Sequence, residues 1–123
     1  MSDRYTQFRS KLPESYVAFI EEFGAWEGDL ADYYGYVVLW RKDEIQEQWT
    51  AYEMAKYLSD YWFPIGTNGG GDIICFDLRK QTDTTYHIPF VGMCESDAME
   101  HCISFSLIAD EIKKNENGES FQL

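Results

Sequence analysis

The sequence predicts an α+β domain, in which a mainly antiparallel sheet with a central glycine-turned hairpin packs against three or four helices. Two apolar runs, Trp62–Ile65 and Ile73–Leu78, flank the segment Asn68-Gly69-Gly70-Gly71. Asn and Gly adopt the positive φ angles that hairpin turns require, so the runs are predicted to pair as antiparallel strands. The second run begins with four apolar residues without polar alternation, which favours a central strand covered on both faces. Amphipathic helical patterns occur before and after the hairpin.

The first clear helix is predicted to begin at Pro13, because proline fits the first position of a helix. Gly24 is placed to end it. Its apolar residues recur at i, i+3, i+4 and i+7. They are Tyr16, Phe19, Ile20 and Phe23. Upstream, Tyr5 and Phe8 lie three residues apart within residues 2–11, which indicates a short helix or a docked arm.

A second helix is predicted to begin near Asp43 as the N-cap, with Gln46 as its capping-box partner. It is predicted to continue to Leu58 or Ser59. One face of it carries the residues predicted to be buried. These residues are Ile45, Trp49, Tyr52 and Ala55.

The remaining strands are shorter. Residues 25–35 mix glycines, carboxylates and aromatics without a period, and predict a loop with a short edge strand. Tyr36–Trp40 is β-branched and aromatic, which is typical of a strand. Thr84–Val91 alternates apolar and polar residues, so one face of this strand is predicted to be buried. Because Pro89 cannot donate to a ladder, it predicts an edge position or a bulge.

The C-terminal part is predicted to be irregular over residues 92–101 and helical from Phe105, with Ser104 as a possible cap. The helix is predicted to bury Phe105, Ile108, Ala109 and Ile112. Residues 115–123 form a polar stretch predicted to be a frayed tail. The chain of 123 residues is therefore predicted to be a single domain over residues 1–123.

Composition restricts the class of partner. Ten basic against 22 acidic residues give a net charge of −12. Unspecific binding to nucleic acid or to an anionic membrane is disfavoured, because both need clustered Lys and Arg. Among partners a basic protein is favoured, but taken alone the charge is better explained by an acidic surface that only maintains solubility. No apolar run is long enough to span a membrane. The start lacks the apolar region of a secretory signal, and three cysteines cannot all pair, so we expect reduced thiols in the cytoplasm.

Metal and phosphate sites are not indicated. The glycine turn leads into a strand without a following Lys, whereas phosphate loops lead into a helix. The possible soft metal ligands lack the close spacing of zinc sites. They are His87, Cys94, His101 and Cys102. Cys75, between Ile74 and Phe76, is predicted to be a core residue.

Catalytic groups are equally weak. Cys94, Asp97 and His101 are the only local group with a nucleophile, a base and a carboxylate. Asp72 and Asp77 are a conceivable acid pair, but carboxylates are so numerous that such pairs arise by chance. We therefore expect no catalytic residue, no metal and no cofactor.

Two acidic loops are candidates for binding a protein, because Tyr and Trp anchor interfaces and carboxylates attract basic partners. The first loop contains aromatic residues among its acids, and the second is mainly acidic. The predicted binding residues are Glu27, Asp29, Asp32, Tyr33, Tyr34, Glu95, Asp97 and Glu100. Trp26 directly follows the first helix and is predicted to pack into the core instead.

The chain resembles the SUKH superfamily. The resemblance is carried by Phe63-Pro64-Ile65-Gly66, by the Gly70-Gly71-Asp72 turn and by the apolar strand that closes on Asp77-Leu78. It extends upstream to Leu12-Pro13 with its helix, and downstream to the helix that begins at Phe105. Founding members of the superfamily are fungal regulators of cell-wall synthesis, and many bacterial members are immunity proteins that neutralise toxins.

The resemblance implies a cytoplasmic, non-enzymatic immunity protein that binds a basic toxin domain, with nucleases as the expected targets. A regulatory scaffold, as in the fungal relatives, is the first alternative. A small hydrolase using Cys94, Asp97 and His101 is the second.

Overall fold

A computed structural model describes residues 3–30 and 35–117, without the side chains of 101–103, 116 and 117. Across these residues an antiparallel sheet of six strands, in the order β1-β2-β3-β4-β5-β6, packs with four α-helices, which confirms the predicted α+β class. The strands are β1 Trp26–Asp29, β2 Tyr36–Leu39, β3 Trp62–Asn68, β4 Asp72–Asp77, β5 Thr84–Pro89 and β6 Met99–Ser104. The helices are α1 Arg4–Phe8, α2 Glu14–Phe23, α3 Lys42–Ala51 and α4 Phe105–Asn117.

The predicted hairpin is confirmed as the centre of the sheet. β3 pairs with β4, and residues 73–77 of β4 are all buried. Because side chains alternate along a strand, the register separates the two faces. Phe63 and Phe76 share one face, whereas Trp62, Ile73 and Ile88 share the other. Residues of both faces are buried, so the central strands are covered on both sides, as their unbroken apolar sequence predicts.

Helices α2 and α4 cover the face that carries Phe63 and Phe76. The ring of Tyr16 in α2 lies 5.3 Å from the ring of Phe76 and 5.3 Å from the ring of Phe105 in α4, each edge to face. The predicted apolar residues of α4 are confirmed as buried, and so are Tyr16, Phe19 and Ile20 of α2. These ring contacts join α2 and α4 to the central hairpin.

Half of β3 has no neighbouring strand on the side away from β4, and an arginine side chain supplies a hydrogen bond there instead. β2 pairs only with residues 66–68 of β3. In the β3–β4 ladder the backbone hydrogen-bonding groups of Trp62 and Pro64 point away from β4. An N–H at position 64 would therefore not bond to β4, and the proline removes no hydrogen bond between the two strands. Arg4 of α1 donates from Nη2 to the Trp62 carbonyl at 2.8 Å. Its guanidinium lies 3.6 Å from the ring centre of Trp49, and burial lowers its pKa to about 10.

The prediction for α3 was wrong at both ends. The helix begins at Lys42 after Arg41, and Glu44 accepts the Arg41 backbone N–H at 2.9 Å. Asp43 and Gln46 therefore do not form the cap. The helix ends at Ala51, because Glu53 adopts a left-handed φ of 51°. The residues after Glu53 therefore no longer follow the helical periodicity of α3. As a result Tyr52 and Ala55 are exposed, whereas Met54 and Leu58 are buried.

The C-terminal third contains three further differences from the prediction. Residues 99–104 form β6, although residues 92–101 were predicted to be irregular. Pro89 is neither in an edge strand nor at the β5 bulge: it ends β5, beyond the last β5–β6 pair, His87 with Met99. Asp83, rather than Ser104, accepts the Ser106 N–H of α4. Residues 115–117 belong to α4, and the rest of the predicted tail lies outside the described residues.

Gly66 is required by the close approach of β2 to β3. A Cβ at this position would lie 2.1 Å from the Val38 carbonyl oxygen and 3.0 Å from the Leu39 Cα, both backbone atoms. We expect Gly66→Ala to lower the free energy of unfolding by roughly 2–3 kcal/mol, because the two strands must separate. Urea denaturation measures this change. Gly70→Ala is the control, since its Cβ would meet only the Asn68 side chain, at 3.5 Å. Equal losses in the two variants would contradict this reading.

Asp83 links α2 to α4 through hydrogen bonds, and its ionisation should make part of the folding stability depend on pH. Its Oδ2 accepts from Ser106 N at 2.9 Å, from Ser106 Oγ at 2.8 Å and from Ser15 Oγ at 2.9 Å. Burial opposes ionisation, but these hydrogen bonds outweigh it and lower the pKa of Asp83. The stabilisation is therefore present above the unfolded pKa of about 3.9 and is lost as pH falls through the lower folded value.

We expect Asp83→Asn to lower the free energy of unfolding by about 1–2 kcal/mol at pH 7. The difference from the wild type should shrink as pH falls below about 4 and through the folded pKa, because the wild-type carboxylate then becomes protonated too. Denaturation curves at a series of pH values measure it, with the exposed Asp110→Asn as the control. A difference that stays constant with pH would show that charge on Asp83 is irrelevant.

Candidate protein-interaction surface

The first predicted binding loop contains an edge strand. Glu27 and Asp29 lie in β1 and are both exposed, at the outer edge of the sheet. Trp26 packs against the core, as predicted, and its ring lies over Gly28, where a Cβ would be only 2.6 Å away. The other predicted residues of this loop are Asp32, Tyr33 and Tyr34, and they lie outside the described residues.

The second predicted loop lies at the opposite edge. β1 and β6 are the first and last strands of the sheet, so five strand spacings, about 24 Å, separate the two acidic groups. Asp97 and Glu100 are exposed. Glu95 instead accepts from Ser59 N at 2.8 Å and from Ser59 Oγ at 3.2 Å, and these bonds lower its pKa. Glu95 therefore holds its loop to the segment before β3, and the two loops do not combine into one acidic cluster.

Glu27 and Asp29 combine with Tyr36, which the prediction had placed only in a strand. The register pairs Glu27 with Val38 and Asp29 with Tyr36, which puts all three side chains on one sheet face. Tyr36 is 45% exposed, and its hydroxyl donates to the Glu27 carboxylate, which raises the pKa of the phenol. We refer to Glu27, Asp29 and Tyr36 as the acidic corner. It joins two carboxylates to an oriented, accessible aromatic ring.

The glycine turn of the hairpin lies beside the acidic corner. Gly69 N donates to the Tyr36 carbonyl at 2.9 Å. Asn68 Oδ1 accepts from Gly70 N at 2.8 Å and from Asp72 N at 3.1 Å, so its side chain fixes the turn from within. The turn therefore presents a well-ordered backbone surface on which Gly69, Gly70 and Gly71 place no side chains.

A second group of aromatic and apolar side chains lies on the other side of the turn. Phe90 N donates to the Gly71 carbonyl at 3.1 Å, which continues the β4–β5 ladder. The Phe90 ring packs against the Tyr52 ring, with 4.9 Å between ring centres and 48° between the ring planes. Tyr52 is 50% exposed and Val91 is 92% exposed. We refer to Tyr52, Phe90 and Val91 as the turn-end patch.

Sequence reasoning missed the turn-end patch for a specific reason. Tyr52 continues the i, i+3, i+4 pattern of α3, and only the left-handed Glu53 reveals that this pattern stops. No local signal in the sequence marks that interruption. Val91 was predicted inside a strand, but β5 ends at Pro89.

The possible catalytic groups do not assemble within the described residues. Asp72 and Asp77 lie on opposite faces of β4, about 17 Å apart along the strand, so the conceivable acid pair does not exist. Although burial opposes ionisation of Asp77, hydrogen bonds and ion pairing with Arg79, at 2.9 Å, lower its pKa. Cys94 Sγ lies 3.0 Å from Ser96 Oγ, and the side chain of His101 is outside the described part.

Cys75 is buried as predicted, and burial raises the pKa of its thiol. In the described part of the chain no three His, Cys, Asp or Glu side chains are grouped so as to hold a metal ion. No helix over residues 3–30 and 35–117 is both long and apolar enough to cross a membrane.

The comparison with known families agrees with this architecture. A family model described as the SMI1 / KNR4 family (SUKH-1) matches residues 6–114, which is nearly the whole chain and includes all six strands, α2 and α3 in full and most of α4. Among curated proteins none matches the chain. The match confirms the resemblance carried by the hairpin and by the two flanking helices. The chain therefore belongs to the SMI1 / KNR4 (SUKH-1) family.

Proposed function

We propose that this protein is an immunity protein, which binds one bacterial toxin domain in the cytoplasm and blocks it stoichiometrically, without catalysis. Membership of the SUKH-1 family supports this class of function. The observation that carries the proposal is the acidic corner: two exposed carboxylates on the edge strand β1 and an exposed tyrosine on the neighbouring β2, in a chain with net charge −12. A toxin that acts on nucleic acid has a basic surface, because it must bind phosphates.

In this mechanism different residues determine the association rate and the lifetime of the complex. The excess negative charge attracts a basic domain over a distance of about one Debye length, which accelerates association. Close contact then depends on the aromatic residues, which determine how slowly the complex dissociates. Tyr36 suits this role because its hydrogen bond to Glu27 already restricts the ring before binding.

A titration tests the proposed function. The probe is the cognate toxin domain, which we expect to be encoded beside this chain, purified and assayed for its own activity. We expect that activity to fall linearly and to vanish at one immunity protein per toxin, because binding rather than turnover blocks the toxin.

Two results would contradict the proposal. Inhibition by far fewer than one equivalent would indicate an enzyme. Binding without any loss of toxin activity would favour the regulatory scaffold.

Charge reversal at the acidic corner tests the surface. We expect Glu27→Lys with Asp29→Lys to lower the association rate roughly tenfold or more at low salt, because the steering charge is reversed at the contact. The wild-type rate should itself fall as salt is raised. Stopped-flow mixing measures both. Glu22→Lys with Glu47→Lys is the matched control, since both residues are exposed on helices and the change in net charge is the same. If the two double variants associate equally slowly, the association rate depends on the net charge of the protein and not on the acidic corner.

A further inference from the structure

We infer that the turn-end patch is the anchor of the interface, and that it takes an apolar side chain of the toxin domain flanked by Lys or Arg. This inference rests on the proposed function and names the part of the surface that holds the bound partner. The patch and the acidic corner would form one continuous surface across the glycine turn, with apolar contacts on one side and carboxylates on the other.

The exposure of the patch is the first argument. Val91, a β-branched apolar residue, is 92% exposed directly after the half-buried Phe90. Tyr52 is 50% exposed and packs against that same Phe90. Single exposed apolar residues are ordinary, but here Tyr52 contacts a ring that packs against the core, and Val91 follows that ring directly in the chain.

The rigidity of the patch is the second argument. Packing against Phe90 restricts the Tyr52 ring, and a tyrosine has only two χ angles to immobilise on binding. Phe90 is itself held by its backbone bond to Gly71. The adjacent glycines allow the backbone of a partner to approach the turn closely. A pre-ordered aromatic group next to a surface without side chains favours tight docking.

The distribution of charge around the turn indicates which kind of partner the surface binds. Asp72 lies at the base of the turn, where it contacts Asn68 and lies 3.7 Å from His87 Nδ1. The acidic corner lies on the other side, and three strand spacings, about 14 Å, separate β2 from β5. Glu53 next to Tyr52 is paired with Lys56 and contributes little net charge. A standard interface of about 800 Å² on each partner covers both groups.

This arrangement resembles the organisation of interface hot spots, in which aromatic anchors are surrounded by polar residues that exclude water. The basic residues of the partner would contact the carboxylates of Glu27 and Asp29, and its apolar side chain would contact Tyr52 and Val91. The acids would therefore affect association, and the patch would affect dissociation.

Two variants and one matched control test the inference against the same toxin domain. Tyr52→Ala removes the anchor, whereas Tyr57→Ala removes a tyrosine that is 51% exposed against 50% for Tyr52 and has no part in the patch. Val91→Lys changes a side chain that is 92% exposed, so folding should be unaffected. We expect Tyr52→Ala to raise Kd roughly 30-fold, mainly through faster dissociation, and Val91→Lys at least about tenfold. Tyr57→Ala should stay within about threefold.

The outcomes separate this inference from the proposed function. If Val91→Lys and Tyr52→Ala bind as tightly as the wild type while reversal of the acidic corner weakens binding, the anchor is wrong and the immunity role stands. Equal weakening by Tyr52→Ala and Tyr57→Ala would also overturn the anchor. If the wild type neither binds nor inhibits the toxin domain, both the proposed function and the anchor are wrong.

Discussion

The contact between β2 and β3 at Gly66 is the constraint on which the rest of the surface depends. β2 is joined to the hairpin through residues 37–39 against 66–68, and β1 is joined to the sheet only through β2. The backbones approach so closely at Gly66 that a methyl group would meet the Val38 carbonyl. This approach fixes Tyr36 beside the glycine turn. The position of the acidic corner is therefore set by backbone packing rather than by its own side chains.

The uneven covering of the sheet explains where function is placed. At β3 and β4 both faces are buried, and Arg4 completes the outer side of β3 that β2 does not reach. Towards β1 one face of the sheet is no longer covered, so the side chains of Glu27 and Tyr36 are accessible. The binding surface thus lies at the boundary between a rigid, fully covered hairpin and an open edge, where side chains are exposed but their backbone is well supported.

The sequence predicted those parts of the fold that depend on local patterns. The hairpin, the buried faces of α2 and α4, and the core position of Cys75 follow from apolar periodicity and turn chemistry. Features that depend on distant contacts were missed. Asp83 caps α4 from 23 residues away, and β6 exists because it pairs with β5. For the site, acidity and exposure of Glu27 and Asp29 were predictable, but their partner Tyr36 and the patch at Tyr52 required the register and the interrupted helix.

Amide hydrogen exchange on this protein, alone and mixed with the proposed toxin domain, tests the central claim most directly. The account predicts that binding slows exchange in three segments that are distant in sequence but lie along the same end of the sheet: 27–29, 69–72 and 90–92. Exchange across α4 and in the segment 10–15 should be unchanged. Protection confined to α4, or to β6 with residues 95–97, would contradict the account, because it would place the partner away from the turn.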